Sequence, residues 1–394
     1  MGRLLALRNA QLYLTGATLS LFGDTVLYLA AGVWVKTLTG SNGAAGLLFF
    51  VLGVPSLFAS MAGILVDRVR RRPLLMLVNT ATGAMVLLLL LVQGRDDVWL
   101  IYLVMFLYGA SYTVINSAQS ALFTVMLPRE LLGENNAAMQ TIGQALFLIG
   151  PVAGAALFAW RGGGFIAVLD AATFLAATIA IGLVQVVEHL PERRATRIGA
   201  EIVAGIQHVV RTVRLRQLVF AGTLASLVFG FGETLIFAVV DQGLHRPPAF
   251  LGALIGAMGI GGVCGGLTAA RGLGALGEGS LTGAGLIMGA IASPLLALQS
   301  VPAAFLGVFL FGIGLPWIIV GINTLVQRAT PPELQGRVAS AVGSVLGTTQ
   351  IVSIALGAAL ISVVDYRLMV LAMAAVLGAA GLYLLTRREQ RAVS

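Results

Sequence analysis

One cysteine in 394 residues, Cys264, excludes a disulfide framework and a thiolate metal site. The only lysine, Lys36, follows Val35, so there is no Gly-Lys pair of a phosphate-binding loop and nucleotide hydrolysis has no foothold. Three histidines, His189, His208 and His245, stand far apart without metal-ligand spacing or a nucleophile elbow, so neither a metal nor an enzyme is expected. Charge is the scarcest commodity: Asp, Glu, Lys and Arg make up 10% of the chain, against roughly a quarter in a soluble domain.

What fills the sequence instead is hydrocarbon, with 58% apolar residues and a mean hydropathy of +0.96. Runs of about 20 apolar residues, enough to cross a bilayer core, recur along the chain. The expected fold is an all-α membrane protein, because only a helix satisfies its own backbone groups in lipid. Twelve spans are placed near 10–35, 43–66, 73–92, 98–126, 137–159, 164–187, 218–240, 250–270, 280–299, 302–327, 338–363 and 366–386. The stretch after Arg8 is too long for a cleavable signal and is read as the first span.

A net charge of +8 would suggest nucleic acid in a soluble protein, but here the arginines alternate by loop. Nineteen of the 24 basic residues fall on the side of the N-terminus, including Arg68, Arg70, Arg71, Arg72, Arg211, Arg214, Arg328 and Arg387, and five on the other. The positive-inside rule then sets both termini in the cytoplasm. Membrane lipids, not nucleic acid, are the expected partners of this charge.

The chain also repeats itself. At an offset of 203 residues, Phe106-Leu107-Tyr108-Gly109 falls on Phe309-Leu310-Phe311-Gly312, and Gly154-Ala155-Ala156-Leu157 on Gly357-Ala358-Ala359-Leu360. At 209, Phe22-Gly23-Asp24-Thr25 falls on Phe231-Gly232-Glu233-Thr234. Two parallel repeats are therefore expected: an N-terminal six-helix bundle at 1–187, a cytoplasmic linker at 188–217 and a C-terminal six-helix bundle at 218–394. In the linker, Ile198, Ile202, Ile206, Val209, Val210 and Val213 recur at helical spacing, as in a helix lying on the inner leaflet and joining the halves.

Acids inside hydrocarbon are expensive and mark function. Asp24, Asp170 and Glu233 qualify. A carboxyl taken out of water favours its protonated form, so these are the candidate proton-coupling and cation-binding groups. Asn116, Gln140, Gln144, Trp317, Asn323 and Gln350 are candidate cavity-lining residues, within a largely apolar cavity that suits amphipathic or cationic compounds better than sugars.

The sequence Gly63-Ile-Leu-Val-Asp67-Arg68-Val-Arg70-Arg71-Arg72-Pro73 resembles the signature between helices 2 and 3 of the major facilitator superfamily, and the resemblance covers the whole chain. It implies the major facilitator fold, two pseudo-symmetric six-helix bundles, with Gly63, Asp67, Arg68, Arg71 and Arg72 as an inner-gate motif. The counterpart after span 8, Gly266 to Arg271, lacks the acid. Gly23-Asp24, Asp170-Ala-Ala-Thr-Phe174 and Gly150-Pro151-Val-Ala-Gly154 resemble the exporter branch that includes macrolide, tetracycline and enterobactin efflux proteins. Because that branch carries its acid at the position of Asp24, the resemblance implies that Asp24 carries the proton and leaves Glu233 to face the substrate. The third of these stretches implies an antiporter motif, with Gly150 and Gly154 expected to pack where the halves meet and Pro151 to bend the helix. Asn79, Thr82 and Gln119 stand where that branch carries charged residues. The expected function is proton-coupled export of an amphipathic small molecule by a monomer in the bacterial inner membrane, with the proton gradient in place of a cofactor. Alternatives are a lipid or lysophospholipid translocator and a non-transporting membrane sensor.

Overall fold

The computed structural model describes residues 4, 6–59, 62, 66, 68–186, 188, 198–331 and 334–390, and among these every regular element is helical. Nine helices of the described residues are long and apolar enough to cross a membrane. The twelve expected passes are reached only by adding the shorter apolar helix Asn42–Phe58, the second arm of a helical hairpin within Arg129–Leu183, and the 18-residue helix Glu278–Leu295. The protein is a multi-pass helical membrane protein.

The chain divides into two compact units, Met1–Ser41 with Leu48–Ala195, and Asn42–Leu47 with Thr196–Ser394. In the first, α1 (Arg8–Thr39) ends at Gly40, whose φ of 70° closes the last turn through a bond from its N–H to the Lys36 carbonyl. It is followed by α2 (Asn42–Gly53, continued as a 3-10 turn by Val54–Phe58), of which only the part from Leu48 belongs to this unit, then by α3 (Arg71–Val86) and α4 (Val98–Met126). The long helical stretch Arg129–Leu183 is broken at Gly162, where φ 76° and ψ −178° are open only to glycine, and so divides into α5 (129–161) and α6 (163–183).

Contacts along α1 show that these two arms form a hairpin. Gly150 and Gly154 on α5 meet Thr25 and Val26, Gly163 meets Trp34, and on α6 Asp170 and Ala177 meet Gly23 and Gly16. The chain thus climbs α1 as far as Trp34 and descends it again.

Small residues permit this closeness. A Cβ on Gly154 would collide with the Val26 carbonyl, and one on Gly150 with the Thr25 side chain. Within their own unit, Gly150 and Gly154 pack against α1. The helix runs on through Pro151. Having no N–H there, proline leaves the carbonyl four residues earlier, that of Phe147, without its helical partner.

In the second unit, α7 (Ile198–Arg211) precedes α8 (Val213–Ala238), α9 (Leu251–Leu276), α10 (Glu278–Leu295), α11 (Val301–Arg328), α12 (Gln335–Leu360) and α13 (Tyr366–Thr386). Gly312 of α11 closes on the Met258 carbonyl of α9, as Gly109 of α4 closes on the Leu52 carbonyl of α2 in the first unit. Those glycines are 203 residues apart, so the sequence repeat is also a packing repeat. The linker helix α7 is anchored on α12 and the end of α11: Gly205 lies against the Arg337 carbonyl, and His208 Nε2 is 3.1 Å from the Ala329 carbonyl oxygen. Val203, Ile206 and Val210 face outward from it.

Candidate functional site

The first unit contains a cavity of about 570 Å³, walled by α1, α4, α5 and α6. Its volume lies within the range of small-molecule pockets, about 300–1,000 Å³. Asp24 sits in its wall, where the Tyr108 hydroxyl of α4 donates a hydrogen bond to Asp24 Oδ1. Asp170, fully buried on α6, stands beside the same phenol. Neither oxygen of the Asp170 carboxyl has a hydrogen-bond partner among the described residues. The approach depends on Gly23, since any Cβ there would overlap Asp170 Oδ1 and Thr173 Oγ1. Phe174, one turn along α6, sets its ring edge-on to Tyr108 at 5.7 Å and closes the cluster on its apolar side.

Two carboxyls about one phenol form a unit that the sequence analysis did not assemble. Asp24 and Glu233 are counterparts in the two repeats, and within the first unit Asp170 stands beside the Asp24–Tyr108 pair. Glu233 lies half-buried on α8 of the other unit. The repeat shows how the units differ: the residues 203 places beyond Tyr108 and Asp170 are Phe311 and Met373. Met373 reaches toward Gly232 as Asp170 reaches toward Gly23. The second unit therefore has the same scaffold with one acid, no phenol hydroxyl and no second carboxyl. That substitution was the available signal for Tyr108.

Of the expected cavity residues, Asn116, Gln140 and Gln144 do line this cavity, joined by Gln119, Ser120 and Asn136, which the sequence analysis did not assign to it. The wall is richer in amides and hydroxyls than the apolar cavity expected. Among the described residues, no arginine, lysine or histidine lines it. Trp317 is not a free aromatic wall, because its indole N–H is shared between the Gly265 carbonyl at 3.1 Å and Thr268 Oγ1 at 3.0 Å, clasping α11 to α9. Asn323 is exposed on α11 and Gln350 half-buried on α12. Asn79 and Thr82 turn back onto their own helix, bonding the Leu75 and Val78 carbonyls at 2.7 Å.

Gly63 and Asp67 of the gating motif lie outside the described residues. Arg68 is exposed. The backbone N–H groups of Arg71 and Arg72 donate to the Glu188 carboxylate at 2.6 and 2.8 Å, an anion on the start of α3. The Arg72 guanidinium donates to the Ile181 and Gly182 carbonyls at 3.1 and 2.5 Å, capping the end of α6. Within the unit, these arginines tie α3 to α6.

The second unit has a matching brace at the start of α10. Glu278 accepts from Arg214 at 3.1 Å and Arg328 at 2.6 Å. Burial alone would raise the Glu278 carboxyl, but its own backbone N–H and the two guanidinium groups outweigh it and hold it below the usual carboxylate range.

Known proteins agree with this architecture. An uncharacterized MFS-type transporter of Sinorhizobium fredii, y4rN, is 26% identical over 333 residues, 83% of this chain and 82% of its own. In the inward-facing crystal structure of a bacterial homologue of the iron transporter ferroportin, the fold matches with a TM-score of 0.74 over 96% of this chain and 99% of that one, at 16% identity. The nucleoside transporter NupG matches with a TM-score of 0.71 over 95% and 99%, at 12% identity. Residues 13–347 match the model of the Major Facilitator Superfamily, and the chain belongs to that family of membrane transporters.

Proposed function

We propose that the protein is a proton-coupled secondary transporter that exports amphipathic, cationic small molecules across the bacterial inner membrane. In this reading it works as a monomer with both termini cytoplasmic, and its two bundles alternate access to a central site. The observation that carries it is the Asp24–Tyr108–Asp170 cluster in the wall of a cavity that no basic side chain lines among the described residues.

The chemistry follows from hydrogen-bond inventory. A phenol has one proton to give and lone pairs to accept with. Tyr108 gives its proton to Asp24, so Asp170 engages the same oxygen only by donating, that is, when protonated. Two carboxylates this close in a dry pocket disfavour double ionisation. The cluster can thus hold a proton on Asp170 while Asp24 is an anion facing the cavity. A substrate ammonium and an incoming proton then compete for the Asp24 carboxylate, and one enters as the other leaves. The proton gradient takes the place of a cofactor.

The test is flux in proteoliposomes under an imposed pH gradient, with a panel of dyes, antibiotics and lysolipids. Asp24→Asn is expected to abolish gradient-driven accumulation and to weaken counterflow exchange of cationic substrates, with an unchanged thermal unfolding midpoint showing that the variant is folded. Wild-type accumulation by Asp24→Asn, or lysolipid movement indifferent to the gradient, would favour lipid translocation instead.

A further inference from the structure

The cavity wall carries more information than its acid. On α5, Asn136, Gln140 and Gln144 are four residues apart, so they lie on one face and all three line the cavity. On α4, Asn116 and Gln119 line it too. None of these five amides makes a hydrogen bond among the described residues, and Asn136, Gln140, Gln144 and Asn116 are exposed. A free primary amide offers two donors and an acceptor with two lone pairs. A row of them therefore favours a ligand with alternating donors and acceptors over a bare lipophilic cation.

The row also has a direction. Gly143 on α5 is level with Leu21 of α1 and Gly150 with Thr25, so Asp24 stands beyond Gln144 at the far end of the ladder. The Phe147 carbonyl, released by Pro151, is an additional acceptor at that end. Successive rungs on α5 are separated by about 6 Å, four residues at ~1.5 Å rise. In an extended peptide, groups pointing to the same side recur every second residue, at about 6.7 Å. The two periods match closely enough for two or three rungs to be engaged together.

We propose that the substrate of this site is a short peptide or peptide-like oligoamide with a free amino group, its ammonium on Asp24 and its amides along Asn136, Gln140 and Gln144. This rests on the transport reading for the outcome of binding, but the recognition itself does not require flux. It also sets the specificity apart from that of a purely lipophilic cation, which would use Asp24 and the aromatic side chains alone.

The test uses purified full-length protein in lipid nanodiscs and three probes: tetra-alanine amide, its N-acetylated form, and tetraphenylphosphonium. Tetra-alanine amide is expected to bind, and N-acetylation to weaken it at least tenfold by removing the ammonium. The double variant Gln140→Leu with Gln144→Leu should weaken the peptide tenfold or more, and an unchanged thermal unfolding midpoint shows that the variant is folded. Peptide binding that is indifferent to both acetylation and the double variant overturns the proposal, as does binding of tetraphenylphosphonium alone. Gradient-driven flux of tetraphenylphosphonium without peptide binding removes this inference and spares the transport reading. Peptide binding without any gradient-driven flux does the reverse.

Discussion

Gly23→Ala changes the geometry of the acid cluster without altering a titratable group. The added methyl has nowhere to go: Asp170 Oδ1 and Thr173 Oγ1 both occupy its position. Either α6 retreats from α1 or the Asp170 side chain turns away from the phenol. Inserting a methylene-sized group into a packed core costs about 1–3 kcal/mol. If that energy is spent on separating Asp170 from Tyr108, coupled flux falls about 5- to 150-fold. The assay is pH-gradient-driven flux in proteoliposomes beside counterflow exchange, with Gly16→Ala as control. Gly16 is on the same helix and tight against Ala180 and Ala177, but away from the acids. Gradient-driven flux is expected to fall in Gly23→Ala while exchange survives, and Gly16→Ala should lower thermal stability without uncoupling. Full gradient-driven flux in a folded Gly23→Ala protein refutes the reasoning, because Asp170 then need not touch the cluster.

Three further outcomes are expected. Gly154→Leu, which drives a side chain into the Val26 carbonyl, should lower transport by about tenfold or more through displacement of α5 from α1, and normal transport would show that this packing is not needed. Trp317→Phe removes the donor shared by Gly265 and Thr268; it should cost about 0.5–1.5 kcal/mol in thermal unfolding and leave substrate affinity unchanged, whereas a lost affinity would make Trp317 a cavity residue after all. Glu278 titrates below the usual carboxylate range when folded, so its pairing contributes stability above the unfolded pKa and loses it as pH falls through the folded one; Glu278→Gln should therefore be less stable than wild type at pH 7 and lose less on acidification, and parallel pH profiles would contradict that.

How far the sequence reached is best seen residue by residue. Helical membrane architecture follows from apolar run length alone, and the repeat from identities such as Gly109 and Gly312, which share one packing role. Asp24 was legible because a charge in hydrocarbon stands out against its neighbours. Asp170 was legible for the same reason, but its pairing with Asp24 was not, since the two are 146 residues apart and the hairpin at Gly162 that brings α6 back along α1 hangs on one positive φ. Tyr108 was hidden in an aromatic motif whose repeat partner is Phe311, where only the hydroxyl differs. Gly150 and Gly154 were recognised as close-packing residues, but small size does not say against what. Glu188 looked like the first residue of a linker, and only its distance to the Arg71 and Arg72 amides shows that it caps α3.

In the proposed mechanism the Asp24–Tyr108–Asp170 cluster exchanges a proton for a cationic substrate. Proton release can be counted on adding saturating substrate to lightly buffered protein in nanodiscs, for wild type, Asp24→Asn and Asp170→Asn. The predicted result is a release that approaches one proton per chain in wild type at acidic pH, where Asp24 is protonated before substrate arrives, and fades as pH rises, with none in Asp24→Asn and an altered pH dependence in Asp170→Asn. Equal release from wild type and Asp24→Asn would contradict it.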